Sequence, residues 1–217
     1  MKTALAGLCL ALFASNLYAD SVEAVLARMD KAAPEFHGLT AHVDMVEYQK
    51  IIDDKQSDPG TLQMQRNGKQ VRAVLTFKDR VLGFLGNTLR VYLPQLNTYQ
   101  DYDIAKHSDI LNQFLLLGFG SSGKELAQSY EISLKGSEKV SGQDTSELVL
   151  IPKDPKVKEH LTQIYMWIPV DGANPVQQQF FEPSGNWRKV TYSDIVINPK
   201  MRGTLELKLP SGATKQG

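Results

Sequence analysis

Residues 60–94 read GTLQMQRNGKQVRAVLTFKDRVLGFLGNTLRVYLP, and the period of this stretch decides the fold. Leu62, Met64 and Arg66 fall on one face of its first run. Beyond Asn67-Gly68, Val71, Ala73, Leu75 and Phe77 alternate with Arg72, Thr76 and Lys78. Leu89, Val91 and Leu93 repeat the pattern before Pro94. An apolar residue at every second position marks a half-buried strand, because successive side chains point to opposite faces of a sheet. Asn67-Gly68 is the strongest hairpin signal, and Lys78-Asp79-Arg80 and Gly86-Asn87 read as further turns. Short strands joined by tight turns make an antiparallel meander with one apolar face.

The same period runs outward in both directions. Val43 and Met45 alternate with His42 and Asp44, and Asp58-Pro59-Gly60 reads as the turn that follows. Later runs are 130–134, 147–151, 163–168, 176–182, 187–192 and 204–209, with a tight joint at Pro183-Ser184-Gly185-Asn186. About ten or eleven strands in sequence order predict a mainly β chain whose sheet curls toward a barrel. Late-strand aromatics (Tyr165, Trp167, Phe180, Phe181, Trp187, Tyr192) are expected to pack between the barrel and its helices.

Two segments break the period. Val22, Val25, Leu26 and Met29 make a helical stripe behind a capping-box spacing of Asp20 and Glu23, and Pro34 and Gly38 close it. Between Asp103 and Tyr130 the alternation stops again. Ser108 is placed to cap a helix in which Ile110, Leu111, Phe114, Leu115, Leu116 and Leu117 crowd together, before Gly118 and Gly120 end it. A helix apolar nearly all round is buried on more than one side. It either covers the barrel as a lid or completes the core.

The first 19 residues read as an export signal: Lys2, an apolar run at 4–15 too short to span a bilayer, and Ala19 as the cleavage position. Residues 20–217 then form a single domain. Cys9, the one cysteine, lies in the signal, and Leu8 before it spoils a lipid-attachment box, so a released, disulfide-free protein is expected. Removing residues 1–19 leaves one acidic side chain in excess, which gives no field for nucleic acid or an anionic membrane. A monomer is expected.

Chemistry-bearing motifs are sparse. Gly118–Lys124 matches both a phosphate loop and a dinucleotide fingerprint, but Glu125 stands where a Ser or Thr is needed, and the βαβ frame is missing. The four histidines lack metal spacing, and no serine-hydrolase elbow appears. No nucleotide, metal or cofactor is expected, and no enzymatic activity. Arg66 shares the face of Leu62 and Met64. Inside an apolar barrel it needs a partner, because an unpaired buried charge costs several kcal/mol. A backbone carbonyl of the greasy helix, a carboxylate or a lipid head group would serve; at the rim, water would.

Several stretches carry a family resemblance: the leading helix 22–29, residues 60–66, 87–94, the Leu-rich insertion, 148–153, 164–168, Asn198-Pro199 and 207–212. Together they resemble the periplasmic outer-membrane lipoprotein carriers, the LolA-like family. The resemblance implies an incomplete antiparallel β-barrel with an apolar cavity for acyl chains under a short lid helix. It implies a carrier that takes a lipoprotein or lipid from an inner-membrane exporter to an outer-membrane acceptor. On this reading Val43, Met45, Leu62, Met64, Arg66, Val71, Ala73, Leu75, Leu89 and Val91 line the cavity. Ile110, Leu111, Phe114 and Leu115 form the lid, and Arg66 matches the family's lid-holding arginine. Asn67 replaces the proline that commonly follows that arginine, and Leu207 replaces a Phe in the last strand. The alternative is an envelope module that senses lipid or lipoprotein and signals to a protein partner.

Overall fold

The computed structural model describes residues 20–68, 70–107 and 115–216. The expected signal segment, 1–19, and the expected lid residues Ile110, Leu111 and Phe114 lie outside the described residues. Helix α1 (Val22–Ala32) opens the fold, capped by Ser21, whose hydroxyl accepts from the Ala24 amide. Asp20, the cap expected from spacing, is engaged elsewhere. Arg28 donates to both its carboxylate oxygens at 3.0 and 2.7 Å, and the Ser146 hydroxyl donates at 2.6 Å. A bidentate, charge-assisted pair is a stronger partner than a backbone amide.

Twelve strands follow among the described residues: β1 (Gly38–Gln49), β2 (Asp54–Asn67), β3 (Gln70–Phe77), β4 (Val81–Leu85), β5 (Thr88–Leu93), β6 (Thr98–Asp103), β7 (Tyr130–Val140), β8 (Gln143–Pro152), β9 (Gln163–Pro169), β10 (Gln177–Phe181), β11 (Trp187–Ile197) and β12 (Thr214–Lys215). They form one open, curled sheet in the order β12-β6-β5-β4-β3-β2-β1-β11-β10-β9-β8-β7. Only the β12–β6 pair is parallel. Two antiparallel meanders therefore meet at the β1–β11 pair. The connection from β6 to β7 joins opposite sides of the sheet, and it carries the Leu-rich insertion and helix α2 (Gly123–Ser129). The expected incomplete barrel is present.

Two expected elements differ. Asp58-Pro59-Gly60 is not a turn but part of β2; the chain reverses at residues 50–53. The proline is tolerated because β3 pairs with β2 only from Gly60 onward, so this part of β2 is an edge. Residues 204–209 have the alternation of a strand but no ladder. They cross the convex face of the sheet, where Leu205, Leu207 and Leu209 pack with Val74 and Tyr92.

The concave face carries two apolar clusters. Under α1, Val25 and Met29 meet Leu148, Leu150, Ile164, Met166 and Ile168, all essentially without solvent exposure. This half is a helix packed on a sheet with its face covered. The second cluster spans β1–β3 and holds Leu39, Val43, Leu62, Met64, Val71 and Ala73 under Phe36 and Phe119. Of the late-strand aromatics, only Phe180 and Tyr192 join these clusters; Trp187 instead stacks on Tyr48.

Candidate functional site

Strand register places all ten residues expected to line a cavity on the concave face. Leu62 pairs with Leu75, Met64 with Ala73 and Arg66 with Val71. Leu75 pairs with Leu82 across β4, and Leu82 with Val91 across β5; Ala73, Phe84 and Leu89 make the next row. Burial then divides the ten. Val43, Met45, Leu62, Met64, Val71 and Ala73 are buried by neighbours within the chain. Leu75, Leu89 and Val91 are only half-buried, as are Leu82 and Phe84, which the sequence reading left out. A continuous, half-open apolar strip thus runs over β3, β4 and β5, beside a sealed core.

The turn at residues 117–120 sits where the two clusters meet. Leu117 belongs to the cluster under α1, and Phe119, 2% exposed, belongs to the other. Leu115, the one expected lid residue among those described, is half-buried against the second cluster. Phe119 meets Tyr192 edge to face, with ring centroids 5.0 Å apart.

Two polar contacts fix this turn from opposite sides. Arg66 Nη1 donates to the Gly120 carbonyl at 2.8 Å, and Nε donates to the Gly68 carbonyl at 3.1 Å. The arginine therefore faces inward far enough to hold a backbone carbonyl just beyond the Leu-rich insertion. On the other side, Gln178 Nε2 donates to the Leu117 carbonyl at 2.9 Å, and the Tyr192 hydroxyl donates to Gln178 Oε1 at 2.7 Å. Gln178 and Tyr192 are both buried, and burial pushes the Tyr192 hydroxyl pKa well above its ordinary value. Gln178 was not foreseen.

No family model matches the chain, and no curated protein does. Solved structures do. An uncharacterized conserved protein from Thermus thermophilus aligns with a TM-score of 0.51 at 11% identity, over 89% of this chain and 97% of that one. The Mycobacterium tuberculosis lipoprotein LppX aligns at 0.49 and 16% identity, over 83% and 98%. A LolA superfamily protein from Nitrosomonas europaea aligns at 0.38 and 12% identity, over 84% and 96%. At 11% identity, what the chain shares with the Thermus thermophilus protein is a fold.

The Gly118–Lys124 motif has a structural role. Ser122 caps α2 in a reciprocal capping box with Glu125: its hydroxyl accepts from the Glu125 amide, and Glu125 Oε2 accepts from the Ser122 amide. Among the described residues, no group of three or more His, Cys, Asp or Glu is arranged to hold a metal ion. The chemistry this site offers is apolar contact beside two hydrogen-bonded latches.

Proposed function

We propose that this chain is an exported carrier that binds acyl chains of a lipoprotein or lipid on its concave face and delivers them to the outer membrane. One observation carries the reading: the half-open apolar strip of Leu75, Leu82, Phe84, Leu89 and Val91, contiguous with the core under the pinned 117–120 turn. The role is binding and release rather than turnover. Each methylene taken from water is worth about 0.8 kcal/mol, so ten of them contribute roughly 8 kcal/mol. Withdrawing Phe119 and breaking an arginine–carbonyl hydrogen bond costs several kcal/mol in opposition, on the order of 2–3 for each. Cargo binding then competes with closure, which keeps affinity finite, and a carrier needs that for release. The reading places the protein in the periplasm, with an exporter at the inner membrane and an acceptor at the outer one as its partners.

Native mass spectrometry of the protein purified from its own periplasm tests this directly, with a co-purified lipid or acylated protein as the expected result. In parallel, a fluorescent fatty-acid probe is titrated against the wild type and Leu82→Glu, which puts a charge on the open strip. Weaker uptake with an unchanged unfolding transition supports the strip as the binding surface. Equal uptake by both proteins sinks it.

A further inference from the structure

The β1–β2 hairpin carries its own signal at the end farthest from Arg66. Strand β1 has twelve residues, roughly 40 Å of extended chain. Its last part stands beyond β3, whose pairing with β2 stops at Gly60. The tip reads Lys50-Ile51-Ile52-Asp53, and Ile51 and Ile52 are 94% and 62% exposed. Turns ordinarily use small or polar residues there, each for a conformational reason that isoleucine does not share. Immediately behind the tip, Tyr48 on β1 and Trp187 on β11 are paired across the strands and stacked, with centroids 5.4 Å apart. Lys55 lies over both rings, 5.7 and 5.6 Å from their centroids.

We propose that this tip inserts into a phospholipid bilayer, Ile51 and Ile52 entering the acyl region while Tyr48 and Trp187 lie at head-group depth. Three observations select a bilayer as the occupant. Two side chains offer far less than the ~800 Å² per partner that a specific protein interface buries. Exposed apolar side chains at the turn, stacked amphipathic rings one step behind them and charges of both signs around the rings make the composition of a membrane interface, where Tyr and Trp keep one end apolar and one end wet. This end of the hairpin is also charge-balanced: Lys50, Lys55 and Arg188 are matched by Glu47, Asp53 and Asp54, with Arg188 paired to Glu47 at 2.7 Å. Attachment therefore rests on apolar insertion and not on attraction to anionic lipid, so it is insensitive to salt. The proposal is independent of acyl binding on the concave face, because partition is measured without cargo.

The chain has two tryptophans, and Trp167 is buried, so Trp167→Phe leaves Trp187 as a probe beside the tip. Every arm uses protein recovered from the periplasm, because the apolar run at 4–15 would itself partition. Phosphatidylcholine vesicles carrying acyl chains brominated at a shallow or a deep position are titrated at low and high salt. The expected result is quenching of Trp187 by the shallow label, equal at both salt concentrations. Ile51→Asp with Ile52→Asp should weaken partition at least about tenfold, and Ile51→Phe should strengthen it. Absence of partition overturns the proposal, as does partition unchanged in the aspartate variant or abolished by salt. Self-association lost in that variant, without vesicle binding, assigns the tip to a second copy and also overturns it.

Discussion

The ring of Phe36 occupies the space that a side chain at Gly120 would need: a Cβ built on Gly120 would overlap Phe36 Cδ1. Gly120 also has φ +78, in the region that favours glycine. The turn under Arg66 is thus held by shape as well as by hydrogen bonding. Gly120→Ala should destabilise the fold by about 2–4 kcal/mol, the sum of backbone strain and an overpacked ring. It should also raise hydrophobic-probe uptake by lifting the turn. Combining it with Phe36→Leu should recover the packing part of the loss but not the backbone part, as read by denaturant unfolding.

Arg66 tests the latch from the polar side. Arg66→Leu removes the donor to the Gly120 carbonyl, and its side chain joins an apolar face. The expected loss of stability is at most about 2 kcal/mol, while probe exchange accelerates. Arg66→Lys should not restore wild-type exchange, because an ammonium lacks the fork that bonds Gly120 and Gly68 together. A collapsed melting temperature in Arg66→Leu would make the residue structural.

How far this site was legible follows from its period. Alternation along 60–94 places Leu62, Met64, Arg66, Ala73 and Leu75 on one face, and the register agrees. Alternation cannot say which of those residues a neighbour covers, so buried Met64 and half-open Leu89 looked alike. Leu82 and Phe84 were missed because Gly83 is all that separates them and β4 has only five residues. Gln178 stands in the run Gln177-Gln178-Gln179, where nothing local marks the inward member; only the neighbouring Phe180, which packs inward, sets the parity. Residues 204–209 show the converse failure. Their alternation is real, but it answers to the convex face of a sheet rather than to a ladder partner.

Gln178 should prove costlier to remove than Arg66. Gln178→Leu leaves the Leu117 carbonyl and the Tyr192 hydroxyl buried without their partner. At about 1–3 kcal/mol for each unsatisfied group, the loss should be roughly 2–6 kcal/mol. Tyr192→Phe removes one hydroxyl and should cost about 1–2 kcal/mol. Because the two contacts share Gln178, the double variant should lose less than the sum of the singles. Strict additivity in denaturant unfolding would show that the two do not act as one unit.

Asp20 gives the fold an acid limb. Its bonds from Arg28 and Ser146 hold its carboxyl below the ordinary value of 3.8, against a smaller opposing effect of burial. The unfolded chain therefore binds this proton more readily than the folded one. The stability that the ionised group contributes is complete above the ordinary carboxylate range, and it is lost as pH falls through the lowered folded value. Asp20→Asn should cost about 2 kcal/mol near neutral pH, because Arg28 loses a charged partner. The gap between variant and wild type should close in acid, where both side chains are neutral. Asp101, lowered chiefly by its bond from Arg90, keeps a residual acid dependence in the variant. Unfolding free energies measured from neutral pH down through the carboxylate range decide the matter: a gap that stays constant across that range would show that Asp20 contributes through packing rather than through its charge.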